Sequence, residues 1–143
     1  MLVVVDTNVL VSGLLKANRT PGAIVRLITY NYLQLAYDAR IINEYREVLS
    51  RPRFGFKKSD IDALITQIED KGELQSFSVF LDSVIKTDLP DPDDRPFIEV
   101  ALNTQDRILI TGNKKHFPGE VCKFINVLTP SEFWERFLKN EKG

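Results

Sequence analysis

Three carboxylates and an amide stand where the hydrophobic pattern of this chain breaks: Asp6, Glu44, Asp94 and Asn113. Asp6 ends the apolar run of residues 2–5, and Glu44 lies in the second turn of the helix expected after the second strand. Asp94 opens a helix beyond the Pro/Asp-rich loop of residues 88–96, and Asn113 follows a short apolar run ending at Thr111. In an open α/β sheet, such strand-to-helix corners share one edge, where ligands bind at the point of strand-order reversal. Carboxylates gathered there repel one another unless cations sit between them. Hard oxygen ligands suit Mg²⁺ or Mn²⁺. Two such ions, about 3.5–4 Å apart, activate a water and stabilise the leaving oxygen of a phosphodiester.

Each acid also has a plainer reading. Asp6 and Asp94 are favoured types for capping the helices they precede. Glu44 could pair with Arg40, one turn earlier on the same helix. Asp91 and Asp93 divide evenly between loop turn chemistry and a share in the site. Glu47 lies further from the strand end than Glu44 and is the weaker candidate, while Asp106 precedes its strand and is read as structural. The set carries more weight than any member.

The elements that must position these groups alternate regularly. Residues 2–5 form a β-branched run too short for a helix, suited to a strand buried on both faces. Val9, Leu10 and Leu14 begin a short helix. Ile24, Val25, Ile28 and Tyr32 mark another, with Pro21 near its start. Residues 33–37 read as a second strand, with Asp38 capping a helix whose inner face carries Ile41, Ile42, Tyr45, Val48 and Leu49. Ser59 is the expected cap of a helix carrying Ile61, Leu64, Ile65 and Ile68, closed by Gly72. A further strand falls at residues 77–80 or 84–87. Residues 94–103 read as a helix with Phe97, Ile98, Ala101 and Leu102 inward, and residues 107–111 and 123–128 as strands. Thr129-Pro130-Ser131-Glu132 is a capping box that starts the last helix. Strands alternating with helices predict a parallel sheet covered on both sides.

Composition narrows the class. The 143 residues, with 43% hydrophobic and 27% charged, suit one globular domain spanning residues 1–143. No stretch is long enough to span a membrane and no signal-peptide pattern is read at the start, so a cytoplasmic protein is expected. The single cysteine, Cys122, excludes an intrachain disulfide and reads as a small apolar filler. A net charge of −1 excludes coating of nucleic acid by bulk positive charge, but not a local basic rim. Arg51, Arg53, Lys57 and Lys58 form one candidate rim, and Lys114 and Lys115 another, each able to hold phosphates beside the acidic edge. For any one of them, solvated surface charge is the simpler reading. His116 is the only histidine, which rules out a histidine-rich zinc cluster. Local packing or capping is favoured for it over a phosphate contact. Tyr30, Tyr32, Phe133 and Trp134 read as core or dimer surface.

The ordered set Val4-Val5-Asp6-Thr7-Asn8-Val9-Leu10, Ile42-Asn43-Glu44-Tyr45, Asp94 ahead of Ala101, and Ile108-Leu109-Ile110-Thr111-Gly112-Asn113 resembles the PIN-domain pattern over nearly the whole chain. It is similar to the stand-alone PIN proteins that act as toxin components of VapBC-type toxin–antitoxin systems. The resemblance implies a three-layer α/β/α sandwich around a central parallel sheet. It also implies a Mg²⁺- or Mn²⁺-dependent endoribonuclease, using one or two ions and leaving a 5′-phosphate and a 3′-hydroxyl. A homodimer, a cognate antitoxin and structured RNA such as tRNA are the implied partners. By position, Asp6, Glu44 and Asp94 match the family's metal-binding acids, Asn8 the residue supporting the first acid, and Thr111 the Ser/Thr before the last site position. Many members carry a fourth aspartate where this chain has Asn113; an amide offers a carbonyl oxygen to a metal but no charge. Asp91 or Asp93 are the candidates to compensate.

Three alternatives stand beside this expectation. A haloacid-dehalogenase-type phosphotransferase would want a second aspartate where Asn8 stands. A non-catalytic PIN scaffold would bind RNA or a protein partner without cutting. A PIN ribonuclease of RNA maturation would share the chemistry without being a toxin.

Overall fold

A computed structural model describes residues 1–75, 81 and 88–142. Strand β1 (Leu2–Val5) lies in the middle of the sheet, and Val3, Val4 and Val5 are all fully buried. Successive strand side chains point to opposite faces, so burial of all three means that both faces are covered. Helices α1 (Thr7–Leu15) and α2 (Thr20–Thr29) follow, and then β2 (Gln34–Tyr37) runs parallel to β1. Gly13 makes the close approach of α1 and α2 feasible, and Gly22 lets their connection pack against α2. A Cβ on Gly22 would lie 2.1 Å from the Ala17 carbonyl oxygen.

Helix α3 (Ala39–Leu49) begins on Asp38, whose Oδ1 accepts a hydrogen bond from the Ile41 amide at 3.0 Å, as the cap reading anticipated. A 3₁₀ turn at Pro52–Phe54 leads to α4 (Lys58–Lys71) and the short edge strand β3 (Glu73–Leu74). Beyond the loop, a 3₁₀ turn at Pro92–Asp94 runs into α5 (Arg95–Leu102), and β4 (Ile108–Ile110) returns beside β1. Helix α6 (Gly119–Cys122), β5 (Asn126–Leu128) and α7 (Pro130–Lys142) complete the chain. The strands are all parallel, in the order β3-β2-β1-β4-β5. The result is a PIN-like α/β/α sandwich, with α5 packed across β1, β2 and β4.

Several local expectations are corrected. Lys57 rather than Ser59 occupies the cap position of α4, without a side-chain capping bond, and Asp60 supplies negative charge to the first turn. Tyr32 lies past the end of α2 and is 64% exposed, because Asn31 takes a left-handed φ of 65° and turns the chain out. Arg107 has a φ of 52°, which delays β4 to Ile108. A turn over residues 123–125, whose Phe124 and Ile125 amides bond back to the Val121 carbonyl at the end of α6, shortens β5 to three residues. Cys122 is exposed rather than a core filler. The strand expected at residues 77–80 or 84–87 lies outside the described residues. The capping box is present: the Thr129 amide donates to Glu132 Oε1 at 2.9 Å, and the Glu132 amide donates to Thr129 Oγ1 at 3.1 Å.

Candidate metal centre

The strand order places the reversal between β1 and β4, and that is where the first acid stands. The Asp6 amide donates to the Ile110 carbonyl at 2.8 Å, fastening the end of β1 to β4. Although Asp6 holds the cap position of α1, its side chain makes no capping bond. Its Oδ2 instead accepts from Thr111 Oγ1 at 2.8 Å and from Asn8 Nδ2 at 3.4 Å. Asn8 Oδ1 in turn accepts from the Gly112 amide, and Thr111 Oγ1 from the Asn113 amide, both at 3.0 Å. One small network thus ties the first corner to the corner after β4.

Glu44 comes up from α3, half-buried beside Ile41 and Tyr45, and accepts a hydrogen bond from the Thr7 hydroxyl. Tyr45 fixes the depth of this helix by donating its buried hydroxyl to the Val5 carbonyl at 2.5 Å. Arg40, the alternative partner for Glu44, donates to Asp38 Oδ2 at 2.8 Å and to Glu99 Oε1 at 2.9 Å. Glu99 is 2% exposed, and its other oxygen accepts from the Leu81 amide at 2.8 Å. This buried carboxylate joins α5, which follows Asp94, to the start of α3, which carries Glu44.

Asp94 ends the 3₁₀ turn before α5, is 7% exposed, and makes no side-chain cap. Among the described residues, its Oδ2 is buried with no hydrogen-bond partner. Asp91 Oδ1 accepts from the Asp93 amide at 3.0 Å, so Asp91 does perform turn chemistry, while the Asp93 side chain is exposed. One ligand atom each from Asp91, Asp94 and His116 lies within 4.8 Å of the others. His116 belongs to this cluster as well as making the kind of local contact expected for it. The 3₁₀ turn Lys114–His116 brings it back over Asn113, whose Nδ2 is 3.0 Å from His116 Nε2. The signal was its spacing, three residues after Asn113 in a tight turn.

The electrostatics bind these acids into one unit. Burial, reinforced by the charges of Asp6, Asp91, Glu44 and Asp93, pushes the Asp94 carboxyl up to about 7. Burial also raises Glu44, opposed by the Thr7 hydrogen bond and reinforced by Asp6, Asp93 and Asp91. Asp6 is raised by burial, with the Thr111 hydroxyl pulling the other way. Carboxylates that hinder one another's ionisation, one with a buried oxygen that meets no hydrogen-bond donor among the described residues, have the chemistry of a site completed by a hard divalent cation.

The basic candidates are more dispersed. Arg51, past the end of α3, pairs with Glu47 at 2.8 Å. Arg53 stacks its guanidinium 4.8 Å from the Phe54 ring centroid. Lys114 pairs with Glu132 at 3.0 Å, and Lys115 is exposed beside it, directly after the Asn113 corner.

The model of the PIN-domain family matches residues 2–115. The chain therefore belongs to the PIN-domain family, whose members are generally metal-dependent nucleases. No curated protein and no solved structure matches the chain.

Proposed function

We propose that the protein, as a single domain over residues 1–143, is a Mg²⁺- or Mn²⁺-dependent endoribonuclease. The observation that carries this reading is the buried Oδ2 of Asp94, without a hydrogen-bond partner among the described residues and set among the mutually repelling charges of Asp6, Asp91, Glu44 and Asp93. Asp6, Glu44 and Asp94 are the residues assigned to hold the cation, with Asn113 at the margin of the site. A divalent cation there would lower the pKa of a bound water and neutralise charge on the phosphate.

The remaining work falls to the chain itself. Thr111 and Asn8 hold the Asp6 carboxylate in place, and the Thr7 hydroxyl orients Glu44. Asp91 shapes the turn that delivers Asp94. Lys114 and Lys115 are assigned to phosphates on one flank, and Arg51 and Arg53 to a more distant part of an RNA strand.

The likeness to stand-alone PIN toxins extends the proposal to a cytoplasmic toxin, held by a cognate antitoxin, acting as a homodimer on structured RNA such as tRNA. Among the described residues, no helix is long and apolar enough to cross a membrane. The test is cleavage of a fluorogenic RNA and of tRNA by purified protein in Mg²⁺, Mn²⁺ or EDTA, with Asp6→Asn and Asp94→Asn alongside. Cutting that requires the metal and disappears in both variants is expected. Cutting that persists equally in the variants would be a contaminant. Absence of cutting on both substrates would leave the RNA-binding scaffold. Growth arrest on induction, absent with Asp94→Asn, separates a toxin from a maturation enzyme.

A further inference from the structure

We propose that His116 is a nitrogen ligand in a cation position shared with Asp91 and Asp94, and that this position selects Mn²⁺, Co²⁺ or Zn²⁺ over Mg²⁺. The proposal rests on the nuclease reading only in taking the acidic edge as cation-binding. It adds the identity of a ligand and the class of metal.

Geometry comes first. His116 Nδ1 lies 3.7 Å from Asp94 Oδ2, too long for a hydrogen bond. Two donors each about 2.1 Å from one ion stand roughly 3–4 Å apart, so this gap suits a shared cation. The Asp91 ligand atom falls within 4.8 Å of both. The second observation is independent of the clustering. The Asp94 side chain is only 10% exposed, and its Oδ2 reaches no donor among the described residues. A buried carboxylate oxygen left without a partner is costly, and a cation between it and the imidazole would satisfy it.

The ring is also held for this role. Asn113 Nδ2 lies 3.0 Å from Nε2 and 3.3 Å from Nδ1, beside the ring edge that carries both nitrogens. Turned over, its amide presents the carbonyl oxygen as acceptor to the N–H of the ring nitrogen that the metal leaves free. Fixing the second ring nitrogen in this way is how proteins orient a metal-bound imidazole. Asn113 then acts through His116 as a positioning residue.

Selectivity follows from the donor set. Mg²⁺ takes oxygen donors and keeps its waters, whereas imidazole suits the first-row transition dications. Two carboxylates and one imidazole therefore favour Mn²⁺, Co²⁺ and Zn²⁺ at this position.

The chain's single histidine makes the test direct, since every imidazole signal belongs to His116. Metal-free protein labelled with ¹⁵N is titrated with Zn²⁺ and, separately, with excess Mg²⁺, while the ring nitrogens are followed by NMR. Stoichiometric Zn²⁺ is expected to move one ring nitrogen into the metal-bound range, and Mg²⁺ to leave both unchanged. Calorimetry with His116→Ala is expected to show Mn²⁺ affinity falling about tenfold or more, with Mg²⁺ affinity changed less than about twofold. Ring signals that ignore bound Zn²⁺ would reduce the contact to a plain His–Asp pair and overturn the proposal, leaving the nuclease reading intact. Equal losses of Mg²⁺ and Mn²⁺ affinity in His116→Ala would also overturn it. Absence of binding by any of these cations would remove both readings together. Because the NMR readout uses the wild-type chain, it stands even if the variant folds poorly.

Discussion

Replacing Asp94 by asparagine should make the metal-free protein more stable while abolishing its activity. The Asp94 carboxyl titrates near 7 in the fold, against an ordinary value of 3.8. The native state therefore binds the extra proton between these values, and stability present at low pH is lost as pH rises through about 7. At 1.36 kcal/mol per tenfold, the gap corresponds to roughly 4 kcal/mol for the ionised, metal-free protein, as an upper bound. Glu44 is half-buried and Asp93 is exposed, so water and salt screen part of the repulsion. A gain of about 1–2 kcal/mol at pH 8 remains, or about 3–8 °C in Tm. At pH 5 the native carboxyl still holds its proton but the unfolded chain has lost most of its own, so the asparagine should raise Tm by only about a third as much. Thermal unfolding followed by circular dichroism in EDTA at both pH values measures this directly. Added Mn²⁺ should then raise the Tm of the wild type at pH 8 and leave the variant almost unmoved. A variant less stable than wild type at pH 8, or equally shifted at both pH values, would refute the reasoning.

Other perturbations probe the supports. Glu99→Ala strands the Leu81 amide and one partner of Arg40, so urea unfolding should show a loss of about 2–3 kcal/mol, with Glu99→Gln losing less. Thr111→Val keeps the shape of a fully buried side chain but removes the donor to Asp6 Oδ2. Calorimetry should find Mn²⁺ binding weakened about tenfold with the fold intact. Gly22→Ala would place a Cβ 2.1 Å from the Ala17 carbonyl oxygen, so denaturation should show a loss of about 1–3 kcal/mol from forced displacement of the α1–α2 connection.

The parallel sheet and the places of Asp6 and Glu44 in it were legible because their signals are local and strong. An all-apolar strand that stops on Asp6, a stripe placing Glu44 beside Ile41 and Tyr45, and Asp38 as a cap each follow from spacing alone. The clustering of Asp91 with Asp94 was visible only as an even choice between turn and site. The structure gives Asp91 the turn bond and also a place within reach of Asp94.

What escaped depends on contacts distant in the chain or on tight turns. Nothing near Glu99 in the sequence shows that Arg40, 59 residues away, meets it. A glutamate inside an apolar helix face was the available hint, since such residues are buried only with partners. The approach of His116 to Asp91 and Asp94 was not visible because a lone histidine has no motif, and a 3₁₀ turn reverses the direction its spacing would suggest in an extended loop. Tyr32 was placed inward by helical periodicity, which fails once Asn31 adopts a left-handed conformation.

The most direct test of the central claim is anomalous scattering from crystals soaked in Mn²⁺. The account expects a peak within coordination distance of Asp94 Oδ2, bounded by the acids Asp6, Glu44 and Asp91, and lost in Asp94→Asn crystals. Well-ordered crystals with no peak near Asp94, or with manganese bound only at surface carboxylates elsewhere, would contradict it.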